Sequence, residues 1–210
     1  MMKTTKFLAL LTLVVSITAC SSDDDNTPPL LNVETEIVSN LHAPQTGGQG
    51  QPIGGDFTKF NFDTGQITTS ATDWDIAFRG TAIIVNGGVS LGTVDEPERT
   101  GDAAAYIANG TLGSISEVNT SLFVQDSESS YAVPSGSGNG WYLYNPQTFL
   151  ISPIPGKILV FKTRDGKYAK VEILSYYKDA PSSPDAFVDE DRYYTFNYVY
   201  QPNEGATSFE

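Results

Sequence analysis

Two β-branched and aromatic runs meet across Asp165-Gly166, with Pro155-Gly-Lys-Ile-Leu-Val-Phe-Lys-Thr-Arg164 before the pair and Lys167-Tyr-Ala-Lys-Val-Glu-Ile-Leu-Ser-Tyr-Tyr177 after it. An Asp-Gly pair adopts the positive φ angles of a tight turn at little cost, so residues 155–177 read as an antiparallel hairpin. Two-residue alternation recurs elsewhere. Phe60 and Phe62 alternate before Asp63-Thr-Gly65, Trp74, Ile76 and Phe78 alternate with Asp73, Asp75 and Arg79, and Tyr194, Phe196, Tyr198 and Tyr200 alternate with Thr195, Asn197 and Val199. A period of two predicts half-buried strands. Turn residues at Gly47-Gly48, Gly54-Gly55, Gly87-Gly88, Gly101, Gly136 to Gly140 and Pro181 to Pro184 separate these runs, the pattern of an all-β, antiparallel two-sheet sandwich or meander. Asp102 to Asn109, with Ala103-Ala-Ala-Tyr106, is the one segment that reads as a helical turn. Ala43 to Asp56, Gly87 to Gly101 and Gln125 to Gly140 read as long loops.

The N-terminus reads as an export signal. Lys3 and Lys6 precede the apolar run Phe7 to Val15 and then Ile17-Thr-Ala-Cys20, the layout of a bacterial lipoprotein signal peptide over residues 1–19. The apolar run is too short to persist as a membrane-spanning helix. Cys20 is the chain's single cysteine, and its place after a small residue predicts that its thiol takes lipid. Two or three acyl chains on one cysteine make a firm anchor. The folded part then has no disulfide and no cysteine metal ligand. Residues 20–31 are predicted to be a lipidated, flexible acidic tether, and residues 32–210 a single β domain long enough for its own core.

The signal holds two of the 12 Lys and Arg and none of the 25 Asp and Glu, which leaves ten basic residues against 25 acidic ones, a formal charge of −15. That balance excludes nucleic acid as a partner and limits membrane contact to the lipid anchor. An anionic ligand must be held by burial of its apolar part and by local cations. Enzyme signatures are missing: a Ser/His/Asp arrangement would have to use His42, no nucleophile elbow or Walker loop is present, and zinc has no ligand set. The chain reads as non-catalytic.

Residues able to carry chemistry are few. Once Met1 and Met2 leave with the signal, the chain has no methionine and one histidine, His42, in Leu41-His-Ala-Pro44 at the end of a predicted strand. It is either a hydrogen-bonded loop histidine or a metal ligand. Eleven tyrosines all lie beyond residue 100, Tyr131, Tyr142, Tyr144, Tyr176 and Tyr177 among them. A phenolate ligates ferric iron when a base or cation lowers its pKa, but no spacing selects one of the eleven. Arg79 closes the Asp73 to Arg79 strand, where it either pairs with Asp73, Asp75 or another acid, or meets a ligand carboxylate in bidentate geometry. Trp74 falls on the same apolar alternation as Ile76 and Phe78. Trp141, Tyr142, Tyr144 and Phe149 crowd the apolar stretch Gly140 to Ile151, which suits a core or the walls around a planar ligand. The acidic stretch Asp185 to Asp191 lacks the spacing of a calcium loop and reads as solvated.

The hairpin at 155–177, the Tyr194-Thr-Phe-Asn-Tyr-Val-Tyr-Gln-Pro202 strand and Asp73-Trp-Asp-Ile-Ala-Phe-Arg79 together resemble the HmuY-like family of surface lipoproteins from Bacteroidetes. The resemblance runs from Val33 onward and is densest from Trp141 to Pro202. It implies a HmuY-like β fold that binds haem in a pocket between two sheets and passes it to an outer-membrane transporter, such as a TonB-dependent receptor. It also implies iron held by a pair of histidines or methionines, a pair that one mature chain of this sequence lacks. Near the ligand position expected in the aromatic segment stands Thr148-Phe149, where relatives often have Thr-His. On this resemblance the haem-binding residues are expected among His42, Trp74, Arg79, Trp141, Tyr142, Tyr144 and Phe149, with His42 as the iron ligand if there is one. Ser21-Ser22-Asp23-Asp24-Asp25 resembles the signal that sends such lipoproteins to the outer leaflet of the outer membrane. The alternative is the same fold used as a surface module for another apolar ligand, a glycan or a protein partner.

Overall fold

A computed structural model describes residues 29–48 and 50–210; the predicted signal peptide, Cys20 and residues 20–28 of the tether lie outside them. In chain order the strands are β1 (Glu34–His42), β2 (Thr46–Gly48), β3 (Gln51–Gly54), β4 (Thr58–Asn61), β5 (Gln66–Thr68), β6 (Ile76–Arg79) and β7 (Ala82–Val85). They continue with β8 (Ala104–Asn109), β9 (Tyr142–Tyr144), β10 (Ile151–Pro153), β11 (Lys157–Lys162), β12 (Tyr168–Tyr177) and β13 (Asp191–Gln201).

The hairpin expected at residues 155–177 forms as β11 and β12, with Leu159 opposite Val171 and Phe161 opposite Ala169. Its turn differs in detail from the expected pair of positive φ angles. Only Gly166 takes one, at +90°, while Thr163 N donates to Lys167 O at 2.9 Å and Gly166 N to Thr163 O at 3.2 Å. A Cβ on Gly166 would meet nothing within 4 Å, so the cost of adding one is backbone strain alone. Gly166→Ala is therefore expected to lower unfolding free energy by about 1–2 kcal/mol in urea titration. An unchanged midpoint would show that the turn relaxes into another type.

Antiparallel pairing extends the hairpin into a five-stranded sheet in the order β1-β13-β12-β11-β8, and a second, four-stranded sheet runs β5-β4-β6-β7. Leu41, Phe161, Tyr194, Phe196 and Tyr198 from the first sheet meet Phe60, Phe62, Ile76, Phe78 and Val85, from the second sheet and the turn after β4, in one core. The all-β, antiparallel two-sheet fold is thus the one the alternation implied. The strands are not half-buried, however. Tyr106, Val160, Tyr168 and Val199 form a second apolar layer on the far face of the five-stranded sheet, covered by residues 112–123 and Phe209. Phe57, Trp74, Ala77, Ile84 and Tyr131 form a third on the far face of the four-stranded sheet. The inner strands are therefore packed on both faces, while the edge strands β1 and β5 stay largely exposed. Trp74 precedes β6 and joins Ala77 and Ile84 in this third layer, away from Ile76 and Phe78, which corrects its expected face.

Residues 104–109 are a strand, not the expected helical turn. β8 pairs with β11 from Asn109↔Lys157 to Ala104↔Lys162, with Ala105 in the central core and Tyr106 in the second layer. The alanines that favour helix in isolation here provide small side chains between packed layers, and the sheet edge supplies the backbone partners. Within the first expected loop, β2 and β3 form a small hairpin. The second and third are pinned by charges buried beneath them: Arg99 pairs with Glu96 at 2.6 Å and with Asp126 at 2.7 Å. Burial pushes the Asp126 carboxyl up, against the pull of the Ala132 amide, Arg99 and the Val85 amide.

Candidate functional site

Asp73 and Asp75 do not pair with Arg79. Arg164, beside the β11–β12 turn, takes both: its guanidinium pairs with Asp73 and reaches Asp75 at 3.0 Å, while its own amide also donates to Asp75 at 3.0 Å. Arg79 ends β6 only 3% exposed and has no carboxylate within 4 Å among the described residues. Its Nη1 donates to the carbonyls of Gly55 (3.1 Å) and Val94, its Nη2 to Thr93 Oγ1 (2.8 Å), and its guanidinium lies 4.2 Å from the Phe57 ring centroid. A guanidinium has five N–H groups. Nε–H and one N–H of Nη2 have no hydrogen-bond partner among the described residues, and because no buried side-chain nitrogen there is left unpartnered, Nε keeps a solvent-facing donor.

Arg79 lines a cleft of about 490 Å³, within the usual range for small-molecule sites. Ile53 from the β2–β3 hairpin, Leu91 and Val94 from the second loop, and the rings of Tyr131 and Tyr142 give it apolar walls. Thr81, at the β6–β7 turn, donates its hydroxyl to Tyr142 Oη at 3.4 Å. The Tyr131 hydroxyl lies 3.3 Å from Thr93 Oγ1 and 3.5 Å from Glu96 Oε2. Burial pushes the Tyr131 phenol up and the Glu96 carboxylate adds to the shift, while the Thr93 hydrogen bond and Arg79 pull the other way. A second groove of about 490 Å³ contains Asp56, Thr58, Lys59, Thr68 and Asp95, and its two carboxylates make it a poor receptor for an anion. The Arg79 cleft is therefore the better candidate.

Of the residues singled out by sequence, the fold brings Arg79 and Tyr142 together in this cleft. Trp74 is fully buried, with Nε1 donating to Ala71 O at 3.1 Å. Trp141 is core as well: its ring centroid lies 5.1 Å from Tyr194 and 5.7 Å from Tyr176, and its Nε1 donates to Thr81 O at 3.0 Å. Neither tryptophan lines the cleft. His42 stands exposed at the end of β1, stacked on Tyr193 at 4.5 Å and 14°, and is outside the cleft wall. Tyr144 and Phe149 sit on the β9–β10 hairpin, where Phe149 is 52% exposed and meets Phe187 edge-on at 5.5 Å. Nor is there an open slot between the two sheets, because aromatic side chains fill that space. Tyr131, one of the eleven tyrosines that no spacing selects, also lines the site, and Thr81, Thr93 and Ile53, which no local spacing marks, complete it.

Residues 55–198 match the sequence profile of the family described as HmuY protein. The chain belongs to that family. No curated protein is significantly similar to it. Among solved structures, it is similar to an apo HmuY analog from Tannerella forsythia, at 13% identity and TM-score 0.42, over 84% of this chain and 100% of that one. A protein from Bacteroides vulgatus assigned as HmuY-like and haem-binding aligns at 13% identity and TM-score 0.40, over 82% of this chain and 93% of that one. A protein from Bacteroides fragilis assigned as a lipoprotein aligns at 15% identity and TM-score 0.48, over 82% and 91%. Within the HmuY match lie Arg79, Thr81, Thr93, Tyr131 and Tyr142, whereas His42, Gln45 and Ile53 precede it.

Proposed function

We propose that this HmuY family member is a non-catalytic, haem-binding lipoprotein, anchored through Cys20 to the outer membrane at the cell surface, that hands haem to an outer-membrane transporter. Residues 1–19 are the signal peptide in this reading, residues 20–31 the tether, and residues 32–210 the binding domain. The observation that carries it is the cleft in which a buried guanidinium without a carboxylate partner meets apolar walls. Those walls suit a porphyrin ring, and the spare N–H groups of Arg79 suit a propionate, a charge-assisted pair. The residues fit the macrocycle and its carboxylates. They do not fit the usual pair of iron ligands, since only oxygen atoms are offered there.

Haemin titration tests the proposal. The Trp141 ring lies 5.0 Å from that of Tyr142, so filling the cleft is expected to quench tryptophan fluorescence saturably and to shift the Soret band. His42→Ala is expected to leave both signals and the midpoint unchanged. Absence of saturable change would remove haem from the function; a weakened His42→Ala variant would move the site to the end of β1.

One observation favours a second reading, a module for another apolar ligand, a glycan or a protein partner. Leu143, Tyr144, Phe149, Phe187 and Val188 are all exposed, and they extend from the β9–β10 hairpin to the loop before β13. Phe149→Ser with Phe187→Ser separates the readings: haem binding in the Arg79 cleft survives it, whereas binding on the exposed apolar group does not.

A further inference from the structure

We infer that the Arg79 cleft recognises a planar, carboxylated macrocycle by its ring and its carboxylate and supplies no ligand to the central metal, so that metal-free porphyrin binds as well as haem. This rests on the cleft being the tetrapyrrole site. The chain's nitrogen and sulfur donors of the kind that ligate haem iron are Met1, Met2, Cys20 and His42. The first three precede the described domain, and His42 stacks on Tyr193 outside the cleft. The cleft's own candidates are the phenols of Tyr131 and Tyr142.

A phenol ligates ferric iron as its anion, which requires a base to accept the proton or a strongly cationic setting. Among the described residues no carboxylate or imidazole lines the cleft. Tyr131 has Glu96 as its neighbour at 3.5 Å, but against the upward push of burial the Thr93 and Leu91 donors and Arg99 hold the Glu96 carboxyl below its usual range, which makes it a weak base for the phenol proton. The Tyr142 hydroxyl accepts from Thr81 Oγ1, and among the described residues no base lies within hydrogen-bond reach to take its own proton. Arg79 is the one cation of the wall, and its free N–H groups match a carboxylate, leaving it engaged at the rim of the ligand instead of the metal.

Titrations with haemin, protoporphyrin IX and protoporphyrin IX dimethyl ester, followed by tryptophan quenching, test this without a variant that might fail to fold. Haemin and protoporphyrin IX are expected to bind within about threefold of each other, and the ester about tenfold more weakly, the size of one lost charge-assisted contact. Bound haemin is expected to keep the same absorption spectrum in Tyr131→Phe and Tyr142→Phe. Haemin binding tenfold or more tighter than protoporphyrin IX, or a changed spectrum in either tyrosine variant, overturns the inference and leaves the haem site standing. Binding of neither porphyrin overturns both.

Discussion

Trp141→Ala is expected to cost about 3–5 kcal/mol of folding free energy, the range for deleting a large aromatic from a packed core. The indole packs against Tyr142, Tyr176 and Tyr194 with ring centroids 5.0 to 5.7 Å away, and these rings are themselves too tightly held to collapse into the space it would leave. Its Nε1–H also satisfies the carbonyl of Thr81. Thr81 and Tyr142 both line the Arg79 cleft, so the variant is expected to lose haemin affinity along with stability. Urea titration by circular dichroism measures the first effect. A shift below about 1 kcal/mol would mean that Trp141 is a peripheral side chain.

Arg99→Met is expected to cost about as much, 3–5 kcal/mol, for an electrostatic reason. Glu96 and Asp126 have almost no exposed side-chain surface and share Arg99 as their ion-pair partner. Asp126 also accepts the amides of Ala132 at 2.8 Å and Val85 at 3.1 Å, which ties the third loop to β7. Without the guanidinium two carboxylates remain buried, and the cost is the uncompensated charge more than the lost attraction. The pH dependence separates this cause from simple packing loss. Burial already pushes the Asp126 carboxyl up, and removing Arg99 raises it further. A carboxyl whose folded pKa lies above its unfolded value destabilises the fold when ionised, and the penalty fades as pH falls through the folded pKa. The stability gap between the variant and the wild type should therefore narrow from pH 7 to pH 5. A gap independent of pH would assign Arg99 a packing role alone.

Arg79 and Arg99 illustrate what the sequence conveys and what it withholds. Local periodicity announces Tyr194, Phe196, Tyr198 and Tyr200 because each strand residue of one parity faces one layer, and Asp165-Gly166 announces its turn through backbone conformation. Neither signal says what covers the opposite face. Trp74 was legible as buried but not as belonging to the third layer, and Ala103 to Tyr106 followed helix propensity until β11 offered an edge to pair with. The cleft is harder still, since its walls come from the β2–β3 hairpin, the end of β6, residues 91–94, Tyr131 and β9. Which arginine is paired depends on Arg164, about ninety positions from the acids it neutralises. Family motifs therefore point to Arg79, whereas only the fold shows that it has no carboxylate partner among the described residues.

The claim that this cleft holds the ligand is tested most directly at Ile53. It is 48% exposed on β3, so Ile53→Glu leaves the packed layers intact while setting a carboxylate in the wall beside Arg79. Paired haemin titrations of the wild type and Ile53→Glu, at equal stability in urea, should show the variant at least about tenfold weaker, a loss of about 1.4 kcal/mol. Equal affinity in the two proteins would place haem elsewhere on the molecule.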